Sequence, residues 1–343
     1  MKNVKLSWYP YLLELKHPFT IATNSRTTTP AVLVEIEYDG LTGYGEASLP
    51  PYLSETQKSV HDFLSVVDLN KYNDITDIET ILTDIDKILP GNTAAKASID
   101  IALHDLKGKI LGVPVYKLLG IDKKEKFTSY TIGIDSTEMI IKKVDEAEKF
   151  RILKVKLGSK DDKGIIETIR SRTDKPIYAD INQGWSDREK ALDLCHWLNQ
   201  NNVVLIEQPF KKENLHDTEW LSVRSPVPVI ADEAVQRLED LERVRGVYSG
   251  INIKLMKCTG LMEGVRMMDY AKQSGLRIML GCMTETSCAI SAAAQISSLA
   301  EWVDLDGNVL IKNDKFEGVK GTDGIIVPNE GSGIGVRKTK YGL

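Results

Sequence analysis

Beyond residue 125 the chain repeats one device: a short apolar run, a polar residue near its end, then a helical stretch. The runs are FTSYTIGID, ILKVKLG, KPIYADINQ, NVVLIEQPF, VPVIADE, GINIKLMK, LRIMLGCMTE and WVDLDGNV. Lys156, Asp180, Glu207, Asp232, Lys254, Cys282 and Asp306 fall in seven of them, at intervals of 24, 27, 25, 22, 28 and 24 residues. A strand–helix unit of a parallel sheet needs about that length. Eight such units predict a (β/α) barrel, an α/β fold whose chemistry sits at the C-terminal ends of its strands.

The first part of the chain reads differently. Residues 4–16 and 31–38 are predicted strands, and DGLTGYGEAS has the glycine spacing of a hairpin turn. Residues 55–67 and 75–89 are predicted helices, and NTAAKASIDIALHDLKGKILG an amphipathic helix closed by Gly112 and Pro114. Strands followed by helices make an α+β unit.

Bulk properties exclude several functions. A net charge of −5 without a basic stripe argues against nucleic acid. No apolar run is long enough to span a bilayer, and the start lacks a signal peptide's apolar core. Four cysteines without a C-x-x-C pair fit a reducing cytoplasm, each as a small core residue. The five histidines form no zinc pattern. Assembly into a homo-oligomer is compatible with all of this.

In ILKVKLGSK, alternation puts Leu153, Val155 and Leu157 on one face and Ile152, Lys154 and Lys156 on the other. A buried unpaired ammonium is very costly. Taken alone, K-x-K would mark an edge strand with one wet face. In a barrel the second face points inward near the mouth, where the other strands deliver anions. Asp180, Glu207 and Asp232 come from three consecutive strands. Each alone would pass for a helix N-cap. Together they would repel one another and hold protons unless a cation joined them, and hard oxygen ligands suit Mg²⁺. Lys156 and Lys254 flank them from strands on opposite sides of the mouth. Neighbouring cations, Lys154 and Lys257, together with burial would lower the lysine pKa values enough for base catalysis. A metal between two opposed lysines suits removal and return of a proton α to a carboxylate through an enediolate. A Schiff-base lysine would need neither the three carboxylates nor the second lysine.

These residues resemble the motifs of the enolase superfamily, in its muconate-lactonizing subgroup, over essentially the whole chain. The K-x-K strand matches LKVKLG, D-x-N matches YADINQGW, E-Q-P matches LIEQP, A-D-E matches IADE, and the sixth-strand lysine matches NIKLMK. The resemblance implies a modified TIM barrel, (β/α)7β, at residues 123–309. It implies an α+β capping domain at residues 1–122, completed by the tail 310–343. It also implies Mg²⁺ held by Asp180, Glu207 and Asp232. Subgroup members that act on dipeptides are similar at VDLDGN, where Asp304 and Asp306 would bind the substrate ammonium, and at GCMTETSCA. A tight turn is the plainer use of that D-x-D. ATNSRTTTP resembles the family's capping loop, from which Arg26 could grip a second carboxylate bidentately. Thr131 and Lys154 are further candidates for carboxylate contacts. The implied activity is epimerisation of L-Ala-D/L-Glu, in peptidoglycan peptide recycling. Ile181 departs from the family's smaller residue, but alternation turns it toward the helices. o-Succinylbenzoate synthases and N-acylamino acid racemases share the lysines and metal, but their substrates lack the ammonium that D-x-D would hold. No histidine follows His216, as sugar-acid dehydratases of the superfamily would require. A barrel that only binds a dipeptide would need no paired lysines.

Overall fold

The computed structural model describes residues 3–21 and 24–339. Its N-terminal sheet is an antiparallel meander of β1 (Lys5–Ile21), β2 (Asn24–Tyr38) and β3 (Leu41–Ser48). Asp39 and Gly40 turn the β2–β3 hairpin with φ of 53° and 77°, the left-handed pair that a two-residue hairpin favours. The first hairpin is longer than the sequence suggests. The stretch expected as a loop is strand from Asn24 to Pro30, with Arg26 paired to Phe19 and Ser25 to Thr20. The β-branched run Thr27–Thr29 accounts for this extension. Ala22 and Thr23, in the same stretch, lie outside the described residues.

Three helices, α1 (Gln57–Leu64), α2 (Ile78–Asp86) and α3 (Thr93–Leu111), back this sheet. The expected amphipathic face of α3 is not present. Every residue from Ala94 to Leu106 is buried, because α3 packs between the sheet and the barrel helix α10 described below. Its polar side chains are paired instead: Lys96 with Asp86 at 2.8 Å, and His104 with Asp100 at 3.1 Å. A helix buried all round needs such partners.

After α4 (Val115–Leu118) and the short β4 (Lys126–Phe127), strand and helix alternate: β5 (Ser129–Ile132), α5 (Thr137–Glu146), β6 (Ile152–Lys156), α6 (Asp162–Arg170), β7 (Ile177–Asp180), α7 (Arg188–Gln200) and β8 (Val203–Glu207). The series continues with α8 (Leu215–Arg224), β9 (Val229–Ala231), α9 (Leu241–Val244), β10 (Gly250–Ile253), α10 (Leu261–Gln273), β11 (Arg277–Gly281), α11 (Ser287–Ile296) and β12 (Trp302–Asp304). The eight strands β5 to β12 form one parallel sheet in unbroken sequence order. The seam between β12 and β5 is drawn together by a Thr128–Val303 bridge and by Leu305 N–H donating to Thr128 Oγ1 at 2.7 Å. Leu153, Val155, Leu157 and Ile181 pack in one apolar cluster with helix residues such as Ile165, Ile169 and Leu198, which leaves Lys154 and Lys156 to the interior.

The tail touches both parts. Lys16 N–H donates to Leu310 O and Lys312 N–H to Glu14 O along β1. Of the short strands β13 (Phe316–Glu317), β14 (Ile325–Ile326) and β15 (Arg337–Lys338), β13 pairs with β15, and β14 pairs with β4. Among the described residues no helix is long and apolar enough to cross a membrane.

Candidate active site

Parallel register sets the level of the charges. Lys156 lies beside Asp180, and Asp180 beside Glu207, as direct partners across β6, β7 and β8. Asp232 follows β9 directly and Lys254 follows β10. All five meet at the C-terminal mouth, and all are buried. One carboxylate oxygen from each of Asp180, Glu207 and Asp232 lies within 4.8 Å of the others. That hard, anionic oxygen set fits Mg²⁺ and lacks the nitrogen or sulfur that zinc sites favour.

The lysines are tied to this cage. Lys156 Nζ donates to Asp180 Oδ2 at 2.6 Å, and Lys254 Nζ to Asp232 Oδ2 at 2.7 Å. Lys257 Nζ holds the other Asp232 oxygen at 2.5 Å and Asn252 O at 3.1 Å. Asn252 in turn donates to Glu207 Oε1 at 2.7 Å. The expectation that neighbours lower the lysine pKa is reversed for Lys254. Burial, the largest influence, would lower it, but the surrounding acidic groups, Asp232 first, together hold it well above the usual lysine range. Asp232 is held well below the carboxylate range: burial opposes this, and Lys254 and Lys257 overcome it. Glu207, by contrast, is pushed up to about 7 by burial and by Asp180. The three acids therefore carry unequal proton affinities in one cage.

Lys154 lines the cleft and is also engaged with acids inside the barrel. Its ammonium is 2% exposed, within 2.8 Å of both Glu207 and Asp304 and 3.2 Å of Asp180. It lies one layer below Lys156 on the same strand face, so it braces the chain's own carboxylates. Burial lowers its pKa and the surrounding acids, Asp304 first, raise it well above the usual range. Thr131 lines the cleft, and its backbone N–H donates to Asp306 Oδ2 at 2.6 Å. Asp304 accepts from Ser129 Oγ at 2.7 Å as well as from Lys154. The D-x-D pair thus stitches the barrel seam while also facing the cleft. Burial and the Asp304 charge push Asp306 up to about 7.

A cleft of about 180 Å³ lies over the cage, lined by Lys154, Lys156, Asp232, Lys254, Asp304 and Asp306 from the barrel, and by Phe19, Ile21, Arg26 and Tyr52 from the N-terminal unit. Arg26 donates from Nε to Thr29 Oγ1 at 3.1 Å and from Nη2 to Thr284 Oγ1 at 3.3 Å, and its guanidinium lies 4.8 Å from the Phe19 ring centre. Its Nη1 is buried with no hydrogen-bond partner. Burial lowers its pKa from the ordinary arginine value.

Sequence reasoning missed several wall residues. Tyr52 donates to Met283 Sδ at 2.8 Å, and burial raises its phenol to about 12. Asn182 donates to Glu233 Oε1 at 3.3 Å, and burial together with Asp232 pushes Glu233 up to about 7. Both sit in quoted motifs, D-x-N and A-D-E, which was the available signal. Cys282 forms part of the cleft wall, where a small core residue was expected. Burial, with Glu285 and Asp304, raises its thiol well above the ordinary cysteine value, which disfavours the thiolate.

Residues 9–120 match the N-terminal domain of the mandelate racemase / muconate lactonizing enzymes, and residues 139–340 match the enolase C-terminal domain-like family. The chain is 55% identical to the L-Ala-D/L-Glu epimerase of Bacteroides thetaiotaomicron, over 98% of this chain and 88% of that protein. The substrate-liganded L-Ala-D/L-Glu epimerase from Bacillus subtilis superposes with a TM-score of 0.92 at 28% identity, covering 98% of this chain and 99% of that one. The dipeptide epimerase of Enterococcus faecalis V583, complexed with Mg and L-Leu-L-Tyr, gives a TM-score of 0.90 at 30% identity, covering 98% and 99%. The chain belongs to the mandelate racemase / muconate lactonizing enzyme family of the enolase superfamily, and it is an isomerase.

Proposed function

We propose that the chain is a Mg²⁺-dependent dipeptide epimerase that inverts the C-terminal residue of L-Ala-L-Glu and L-Ala-D-Glu. One observation carries this reading: the Lys156 and Lys254 ammoniums reach one cleft across a cage of three buried carboxylates, with an unpartnered arginine nitrogen in the same wall. Asp180, Glu207 and Asp232 would hold the metal. When bound, Mg²⁺ would supply positive charge that offsets the added negative charge a substrate carboxylate takes up on losing its α-proton.

The chain's own groups do the rest. Lys156 Nζ takes or returns the α-proton on one face of the substrate carbon and Lys254 Nζ on the other, a cation on Asp232 offsetting the charge that otherwise holds the Lys254 proton. Asp306, with Asp304 behind it, receives the dipeptide ammonium, which N-acylated substrates lack. Arg26 Nη1 meets the glutamate side-chain carboxylate, which gives the otherwise unpartnered nitrogen an anionic acceptor. Phe19 and Ile21 cover the cleft from the hairpin. The unit at residues 1–122 with the tail 310–343 acts as the cap, and residues 123–309 as the catalytic barrel. The four free cysteines fit work in a reducing cytoplasm, where the product would enter recycling of peptidoglycan peptides.

The test is incubation of L-Ala-L-Glu with the protein and Mg²⁺ in D₂O. Expected are one deuterium at the glutamate α-carbon and formation of the L,D epimer, both lost with EDTA. Tight binding with no α-deuterium would reduce the protein to a dipeptide-binding barrel.

A further inference from the structure

On β3 the side chains alternate sharply. Gly43, Gly45 and Ala47 face α3; a Cβ on Gly45 would lie 1.9 Å from Ser98 O, so the strand is pressed flat on the helix. The opposite face sends Glu46 and Ser48 toward the barrel and Tyr44 toward the C-terminal tail. Tyr44 packs edge-on against Phe316, ring centres 5.4 Å apart. Ser48 Oγ donates to Thr284 O at 2.6 Å. Glu46 is fully buried and accepts from Thr286 N–H at 2.9 Å, from Thr286 Oγ1, and from Ala289 N–H at 3.4 Å. It therefore sits against the N-terminus of α11, whose backbone N–H groups favour its charged form while burial pushes its carboxyl up to about 7.

The segment so gripped is the wall of the cleft. Cys282, Met283 and Thr284 line it, and Thr284 Oγ1 accepts from Arg26 Nη2. A chain of contacts thus runs from Glu46 and Ser48, through residues 284–286, to the Arg26 guanidinium, which lines the cleft and whose buried Nη1 has no partner. No catalytic side chain lies on this path.

We infer that Glu46 and Ser48 are positioning residues that set the Thr284 wall, and through it Arg26, for a distal carboxylate on the substrate. The inference rests on the reading of Arg26 given above. It separates two roles of the N-terminal unit. A mere domain weld would support every substrate alike, whereas a positioning device matters only when the substrate carries the carboxylate that Arg26 meets.

The experiment compares L-Ala-L-Glu with L-Ala-L-Met, which has similar length and no charge, on wild type, Arg26→Met, Glu46→Gln and Ser48→Ala. Glu46→Gln keeps the shape but faces an amide N–H toward N–H donors. It should raise KM for L-Ala-L-Glu about tenfold and change kcat less than about threefold, with kcat/KM for L-Ala-L-Met held within about threefold. Equal losses on both substrates, or none on either, would overturn the positioning role. Should Glu46→Gln not accumulate folded protein, Ser48→Ala decides: a KM rise of about threefold confined to L-Ala-L-Glu supports the inference, and an unselective or absent effect rejects it. Arg26→Met separates the two failures. If it leaves the preference for L-Ala-L-Glu intact, the reading of Arg26 and the inference fall together. If it abolishes the preference while Glu46→Gln and Ser48→Ala do not touch it, the inference alone falls.

Discussion

Lys156 and Lys254, the two proposed bases, stand in unequal settings. Lys156 leans on Asp180, while Lys254 shares Asp232 with Lys257. If they serve opposite faces, Lys156→Ala and Lys254→Ala should each stop epimerisation by about 10²–10⁴-fold. Each should retain slow α-deuterium exchange with one epimer only, and with opposite preferences. Exchange measured separately on L-Ala-L-Glu and L-Ala-D-Glu reads this, and equal residual exchange of both epimers in both variants would undo the face assignment. Asp306 supplies a second expectation. Its carboxyl is raised to about 7 by burial and by Asp304, so it is neutral below that pH and charged above it. A substrate ammonium is best held by the charged form. The limb of kcat/KM on the acid side should therefore fall by up to about tenfold per pH unit below 7. Asp306→Asn should lower kcat/KM and flatten that limb; an unchanged limb in the variant would assign it to another group.

At the scale of elements, legibility follows range. Lys156, Asp180, Glu207, Asp232 and Lys254 could be read from the sequence because strand period and unit length put them at one level of a parallel sheet, and register delivers that. Arg26 was legible as a residue but not as part of a strand, since the ladder to Phe19 is set by hairpin pairing beyond any local turn signal. The burial of α3 on all sides was hidden too: its Lys, Asp and His residues look solvent-facing until Asp86 and the barrel supply partners. Glu46 is the extreme case. It acts on Thr286, 240 positions away in sequence, and nothing near GYGEAS announces it. The β3–α3 contact offers a direct test. Gly45→Ala would drive a methyl to 1.9 Å from a backbone oxygen, and Gly43→Ala to 2.1 Å from Ala102 O. Neither neighbour is a flexible tip, so each change should cost about 1–3 kcal/mol or more. Urea denaturation would measure it; a Gly45→Ala midpoint equal to wild type would mean the strand can lift off the helix freely.

At the scale of the whole molecule, the barrel mouth concentrates like charges that the unfolded chain keeps apart. Asp180, Glu207 and Asp232 arrive from three separate strands and are buried together. Their mutual repulsion opposes folding, and Lys154, Lys156, Lys254 and Lys257 offset it in part. The unfolded chain scatters the three acids far apart and has no site to offer. A divalent cation held by these carboxylates would therefore bind the folded state alone, and the stabilisation would follow mass action, about 2.7 kcal/mol at a hundredfold excess over Kd. For domains of 150–250 residues each kcal/mol moves the midpoint by about 2–4 °C, so Mg²⁺ should raise the thermal midpoint by about 5 °C or more relative to EDTA at matched ionic strength. Asp232→Asn removes one charge from the cage while keeping its shape. It should lose most of the shift and most of the activity together, and Mg²⁺ titration by calorimetry should show weakened binding. A wild-type midpoint indifferent to Mg²⁺, or an Asp232→Asn protein that keeps both the shift and near wild-type activity, would remove the metal from these carboxylates.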